Sequence, residues 1–121
     1  MALVLVIEDE EFILENLIEI LKLEGFDALG ASAGLAGLQM VNEHRPDLVI
    51  CDIRMPEFNG FEVLERLRHS PATANIPFIF VSAKADEASV QEGQQRGAND
   101  YLIKPFGPVE LLATIKKWVT P

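Results

Sequence analysis

Glu8, Asp9, Glu10 and Glu11 follow directly on the apolar run 3–7, and Asp52 follows directly on a second apolar run, 47–51. Farther along, Ser82 closes the run 77–82, and Lys104, with Pro105 behind it, follows the run 99–103. Carboxylates gathered within a few ångströms repel by roughly 4 kcal/mol per pair at an effective dielectric of about 20. Such a cluster needs a cation or a shared proton. A hard divalent ion taking oxygen ligands, of which Mg²⁺ fits best, suits carboxylates supplemented by a backbone carbonyl and waters. A serine hydroxyl and a lysine ammonium beside it suit phosphoryl oxygens, one by hydrogen bond and one by charge. An aspartate carboxylate can then act as nucleophile and form an acyl phosphate. Asp52 is the residue placed to do so.

Each residue alone has a blander reading. An acid just before a helix is usually an N-cap or a partner of the helix dipole, and that suffices for Asp9, Glu10 or Glu11 taken singly. A lone serine after a strand is most often a turn or cap residue, and a lone lysine a solvated one. Asp52 resists this reduction, because it closes a buried run and its successors Ile53 and Met55 offer no turn chemistry. The case rests on convergence.

What must bring these residues together is a set of five apolar runs alternating with helical patterns. Residues 3–7 and 47–51 are continuous and rich in β-branched side chains, as strands buried on both faces are; 26–31, 77–82 and 99–103 complete the set. Between them the period changes. In 10–24, Ile13, Leu14, Leu17, Ile20 and Leu21 share one face and Glu11, Glu15, Glu19 and Lys22 the other, with Gly25 as the stop. Helices are likewise expected over 34–44, 60–69 and 87–96, the last ending at Gly97. A final helix opens at Pro108, with Leu111, Leu112, Ile115, Trp118 and Val119 as its stripe. Strict alternation of strand and helix implies an α/β fold, a doubly wound parallel sheet between two helical layers. In such folds function collects outside the carboxyl ends of the strands, where Glu8 to Glu11, Asp52, Ser82 and Lys104 fall.

The whole chain narrows the field further. Its 121 residues are expected to make one domain, 1–121, and 49% hydrophobic residues suffice for a core. A net charge of −9 argues against a surface for nucleic-acid phosphates or anionic lipid. The single cysteine, Cys51, lies among Leu48, Val49 and Ile50 and reads as a small buried hydrophobe. The run 3–7 is too short for a signal peptide and lacks a basic leader, and no stretch reaches membrane-spanning length. A cytoplasmic protein is the expectation.

Four segments together resemble the receiver family of response regulators, typified by the bacterial chemotaxis regulator. They are Glu8-Asp9, the segment from Asp52 through Met55-Pro56 to Asn59-Gly60, Val81-Ser82-Ala83, and Lys104-Pro105-Phe106. The likeness extends from Leu3 to Val119. It implies a flavodoxin-like (βα)5 fold with strand order 2-1-3-4-5, and a phosphoacceptor signalling domain instead of an enzyme acting on a separate substrate. Asp52 would accept phosphate from a sensor histidine kinase or a histidine phosphotransfer protein. Asp9 and Asp52 would ligate Mg²⁺ with the backbone carbonyl of Arg54, and Glu8 would act through water. Lys104 would pair with the phosphoryl group, Ser82 would move inward to bond it, and Tyr101 would be the switch aromatic that follows. The Lys104-Pro105 bond would be cis, against a base rate of about 5–6% for proline bonds in general. The output would be a changed surface on the fourth helix, fifth strand and fifth helix, read by an output domain or effector protein.

Departures from the family pattern are few. Ser82 stands for the commoner threonine and Asn59 for a common aspartate, and Arg54 and Lys84 are cations at positions that rim the site. Thr114 stands where the DNA-binding winged-helix branch carries an arginine for a symmetric dimer; that dimer is not expected, and homodimerisation by other means stays open. Gln91, Gln94 and Gln95 on the fourth helix form either a partner surface or a solvated face. Two other readings compete. An interaction domain that is never phosphorylated has little use for the set Asp9, Asp52, Ser82 and Lys104. A flavodoxin or haloacid-dehalogenase-type enzyme conflicts with the acids at 8–11, which repel a phosphate, and with Arg54, where the dehalogenase pattern has a second aspartate. Whether the domain acts alone or within a longer regulator, and which kinase serves it, is left open.

Overall fold

The computed structural model describes residues 1–83 and 87–121. Five strands, β1 (Leu3–Ile7), β2 (Asp27–Ala31), β3 (Leu48–Asp52), β4 (Phe78–Ala83) and β5 (Asp100–Lys104), alternate with five helices. The helices are α1 (Glu11–Leu23), α2 (Gly34–His44), α3 (Gly60–His69), α4 (Glu87–Gln95) and α5 (Pro108–Ile115). The strands form one parallel sheet, as the alternation implies, in the order β2-β1-β3-β4-β5 that the family resemblance implies.

Two cores follow from the period-2 alternation of the strands. Val4 and Val6 face the layer of α1 and α5, packing with Leu14, Leu21 and Leu111. Leu5 and Ile7 face the other layer, with Val41, Leu64 and Phe80. Full burial of each such side chain is worth about 1.5–3 kcal/mol, which makes the strand register costly to shift. That register aligns the functional edge: Ile7 pairs with Cys51, Asp52 with Val81, Ser82 with Ile103 and Ala83 with Lys104. Gly25 at φ 99 and Gly97 at φ 110 end α1 and α4 in the left-handed region, as expected of stop residues.

The last helix departs from the expected stripe. α5 ends at Ile115; Leu111 and Ile115 are buried, and Leu112 and Val119 lean on the same core. Trp118 does not join them. It stays 39% exposed, and its indole N–H donates to Asp100 Oδ2 at 3.0 Å, the kind of partner an indole seeks when its ring is only partly covered.

Candidate phosphoacceptor site

At the carboxyl edge of the sheet, β1, β3, β4 and β5 deliver Glu8, Asp52, Ser82 and Lys104 to one place. Carboxylate oxygens of Glu8, Asp9 and Asp52 lie within 4.8 Å of one another. Glu8 and Asp52 are buried, at 2% and 8% exposure, while Asp9 opens to solvent. Lys104 Nζ sits 3.0 Å from Glu8 Oε1 and 3.0 Å from Asp52 Oδ2, so one ammonium bridges both buried acids. The backbone amide of Arg54 donates to Asp52 Oδ1 at 3.3 Å, and that of Glu10 to Glu8 Oε2 at 3.2 Å. Ser82 is 2% exposed, and its Oγ has no hydrogen-bond partner among the described residues. A buried hydroxyl without a partner is uncommon, and this one stands at the end of β4 beside the acids.

Burial pushes the Glu8 carboxyl up to about 7; the charge of Asp52 pushes the same way, against the Glu10 amide and Lys104. For Lys104 burial works against the charge, but the hydrogen bonds and charges of Asp52 and Glu8 prevail and hold the ammonium above its ordinary range. The Cys51 thiol is pushed up by burial and then by Asp52 and Glu8, so it is no nucleophile here. Three clustered carboxylates with one lysine between two of them are a donor set that fits a hard divalent cation with oxygen ligands.

The β3–α3 loop closes one side of the site. Gly60 opens α3 with its amide on the Ile53 carbonyl at 2.9 Å. A Cβ on Gly60 would collide with the Asp52 carbonyl oxygen and approach Ile53 Cα and the Phe80 ring at 3.0 Å. Asn59 caps α3 reciprocally with Glu62, each side chain accepting from the other's amide at 3.0 Å. A cleft of about 540 Å³ lies between this loop and α4, with Arg54, Asn59 and Ser89 in its walls.

The remaining expected residues fall as follows. Glu10 and Glu11 are exposed and lie outside the acidic cluster; Glu10 occupies the N-cap of α1 without a side-chain capping bond. Lys104-Pro105 is cis. Tyr101 is apart from the cluster, 37% exposed, on a cleft of about 260 Å³ with Val90, Gln91, Gln94 and Ile103. Gln91, Gln94 and Gln95 are exposed on α4, and Thr114 is half-buried. Lys84 lies outside the described residues. Sequence reasoning missed the double engagement of Lys104 and the close approach of Gly34, at the start of α2, to Phe58 in the β3–α3 loop. A glycine opening a helix and an aromatic in a polar loop were the available signals.

The model of the response regulator receiver domain family matches residues 4–116. The chain therefore belongs to that family: it is a receiver domain of two-component signalling, in which phosphoryl acceptance on an aspartate is the general function. Among curated relatives, the DNA-binding response regulator MtrA of Mycobacterium tuberculosis is 39% identical over 113 residues, 93% of this chain and 48% of that protein. The transcriptional regulatory protein KdpE of the same species is 40% identical over 116 residues, 96% of this chain and 50% of that protein. This chain thus spans about half the length of the curated relatives it matches. Among solved structures, the Vibrio cholerae chemotaxis protein CheY4 superposes with a TM-score of 0.93 at 29% identity, covering 98% of this chain and 99% of that one. The receiver domain of the Francisella response regulator 1452 gives 0.88 at 30% identity, covering 98% and 96%. Among the described residues no helix is long and apolar enough to cross a membrane.

Proposed function

We propose that Asp52 is the phosphoacceptor of a cytoplasmic switch comprising residues 1–121. The observation that carries this reading is the convergence on Asp52 of the acid pair Glu8-Asp9, a bridging ammonium and a buried hydroxyl without a partner among the described residues. The donor is a sensor histidine kinase or a histidine phosphotransfer protein. The Asp52 carboxylate attacks phosphorus, an O–P bond forms as the N–P bond of phosphohistidine breaks, and the imidazole leaves as the neutral base once protonated. Asp9, Asp52 and the Arg54 carbonyl would hold Mg²⁺, with Glu8 acting through water. Bound there, Mg²⁺ supplies charge neutralisation between carboxylate and phosphoryl oxygens.

Lys104 then trades a carboxylate oxygen for a phosphoryl oxygen, and Ser82 Oγ gains a partner that it lacks among the described residues. Tyr101 follows Ser82 inward, and the surface of α4, β5 and α5 changes. Because phosphate binds the two arrangements unequally, populations shift. The domain promotes only its own phosphorylation and dephosphorylation, and an output domain or effector protein reads its surface. With a net charge of −9 it is not the part that would hold nucleic acid. The test is phosphorylation with acetyl phosphate and Mg²⁺, then borohydride reduction and peptide mapping. Homoserine at position 52 is expected; reduction at any other aspartate would overturn the assignment.

A further inference from the structure

We infer that Phe58 is a positioning residue for the proposed phosphoacceptor: packed against Gly34 and the Arg66 guanidinium, it sets the loop that keeps the Arg54 amide on Asp52. This rests on the proposed role of Asp52. The loop 53–59 starts from the buried Ile53, whose amide donates to the Val81 carbonyl at 3.1 Å. Four residues on, its course depends on an unusual backbone. Glu57 is left-handed at φ 68, and the Phe58 amide turns back onto the Pro56 carbonyl at 2.7 Å. A non-glycine residue holds such a conformation only where its surroundings over-determine it.

Those surroundings meet at Phe58. A Cβ on Gly34, the first residue of α2, would collide with the Phe58 carbonyl oxygen and lie 3.0 Å from ring Cδ2. Only the bare α-carbon lets α2 approach so closely. From α3 the Arg66 guanidinium lies over the ring, 5.5 Å from its centroid. Phe58 is therefore gripped from both α2 and α3, and the next residue, Asn59, is locked by the capping box. None of these groups touches the reacting atoms. Their effect reaches Asp52 through the Arg54 amide, which fixes one carboxylate oxygen while Lys104 fixes the other.

The experiment compares the unaltered protein with Phe58→Leu, Phe58→Ala and Gly34→Ala. Three quantities are read: hydrogen exchange of the Arg54 amide, Mg²⁺ affinity, and the initial rate of phosphorylation by acetyl phosphate. Phe58→Ala and Gly34→Ala are expected to speed Arg54 exchange and weaken Mg²⁺ binding on the order of 10-fold, as loss of support behind a metal site does. Exchange at the core amides of Val6 and Val49 should stay unchanged, and Phe58→Leu should remain within about twofold throughout. Unchanged Arg54 exchange and Mg²⁺ affinity in both variants would overturn the inference. So would equal acceleration at Arg54 and the core amides, which signals mere destabilisation. If the unaltered protein takes no phosphoryl group, the reading of Asp52 fails and this role fails with it. If it is phosphorylated and Phe58→Ala is equally competent, the role of Phe58 fails alone.

Discussion

Lys104 Nζ lies 3.0 Å from Asp52 Oδ2 across 52 positions of sequence, and it holds Glu8 at the same distance on its other side. The contact joins the last strand of the sheet to its central one. It gives the proposed acceptor carboxylate a cation before any phosphoryl group arrives. Under that proposal Lys104 is also the group that would change partners when one does.

Lys104→Ala should therefore separate two properties. Removing a positive charge from an acidic cluster leaves the carboxylates to attract Mg²⁺ at least as strongly as before. The surface change on phosphorylation loses the ammonium that would follow the phosphoryl group. Mg²⁺ titration and amide shifts of α4 and β5 after acetyl phosphate treatment check this. Equal loss of Mg²⁺ binding and of the switch would contradict it.

Glu8 makes the metal-free protein sensitive to pH. Its carboxyl is raised by burial from 4.5 to about 7, so between those values the folded state binds more protons than the unfolded. Its contribution to stability is fully present below about 4.5 and is lost as pH rises through about 7, by no more than roughly 3 kcal/mol. Urea unfolding in a chelator should show this decline, and Glu8→Gln should flatten it. A slope of the opposite sign in this window, removed by the same substitution, would refute the assignment.

Ser82→Ala removes a buried hydroxyl that has no partner among the described residues. Deleting such a group is close to neutral or mildly stabilising. The unphosphorylated variant should unfold at or slightly above the parent's temperature, whereas its surface response to phosphorylation should be weakened. A loss of more than about 1 kcal/mol in the resting state would mean that Oγ has a structural bond.

At the start of α3, Gly60→Ala should be far more damaging than Asn59→Ala. The methyl of the first collides with the Asp52 carbonyl, and overpacking of this kind costs about 1–3 kcal/mol while displacing the proposed acceptor. The second loses a capping bond worth about 1 kcal/mol. Denaturant unfolding ranks the two, and only Gly60→Ala should also block phosphorylation. The reverse order would show that the close approach at Gly60 is relaxed in solution.

Much of this architecture was legible because burial writes itself into strands. Continuous β-branched runs such as 3–7 disclose a doubly covered sheet, and the residue after each run must lie at its carboxyl edge. That logic located Asp52, Ser82 and Lys104 without any contact being known. It did not say which of four successive acids turn inward. The backbone after Ile7 decides that, sending Glu8 and Asp9 to the cluster and leaving Glu10 and Glu11 outside it. Side-chain partners were equally hidden, since the Lys104 bridge spans 96 positions to Glu8. Trp118 shared the spacing of the α5 stripe, but a polar N–H and a nearby Asp100 drew it out. Phe58 and Gly34 looked like an ordinary loop residue and a helix start until packing set one against the other.

The central claim is most directly tested by intact-protein mass after incubation with acetyl phosphate or phosphoramidate, with and without Mg²⁺. The account predicts a gain of one phosphoryl group that requires Mg²⁺ and is absent in a folded Asp52→Asn variant. A gain retained in Asp52→Asn, or no gain under any condition, would contradict it; the second result would leave a receiver fold acting as a phosphorylation-independent interaction domain.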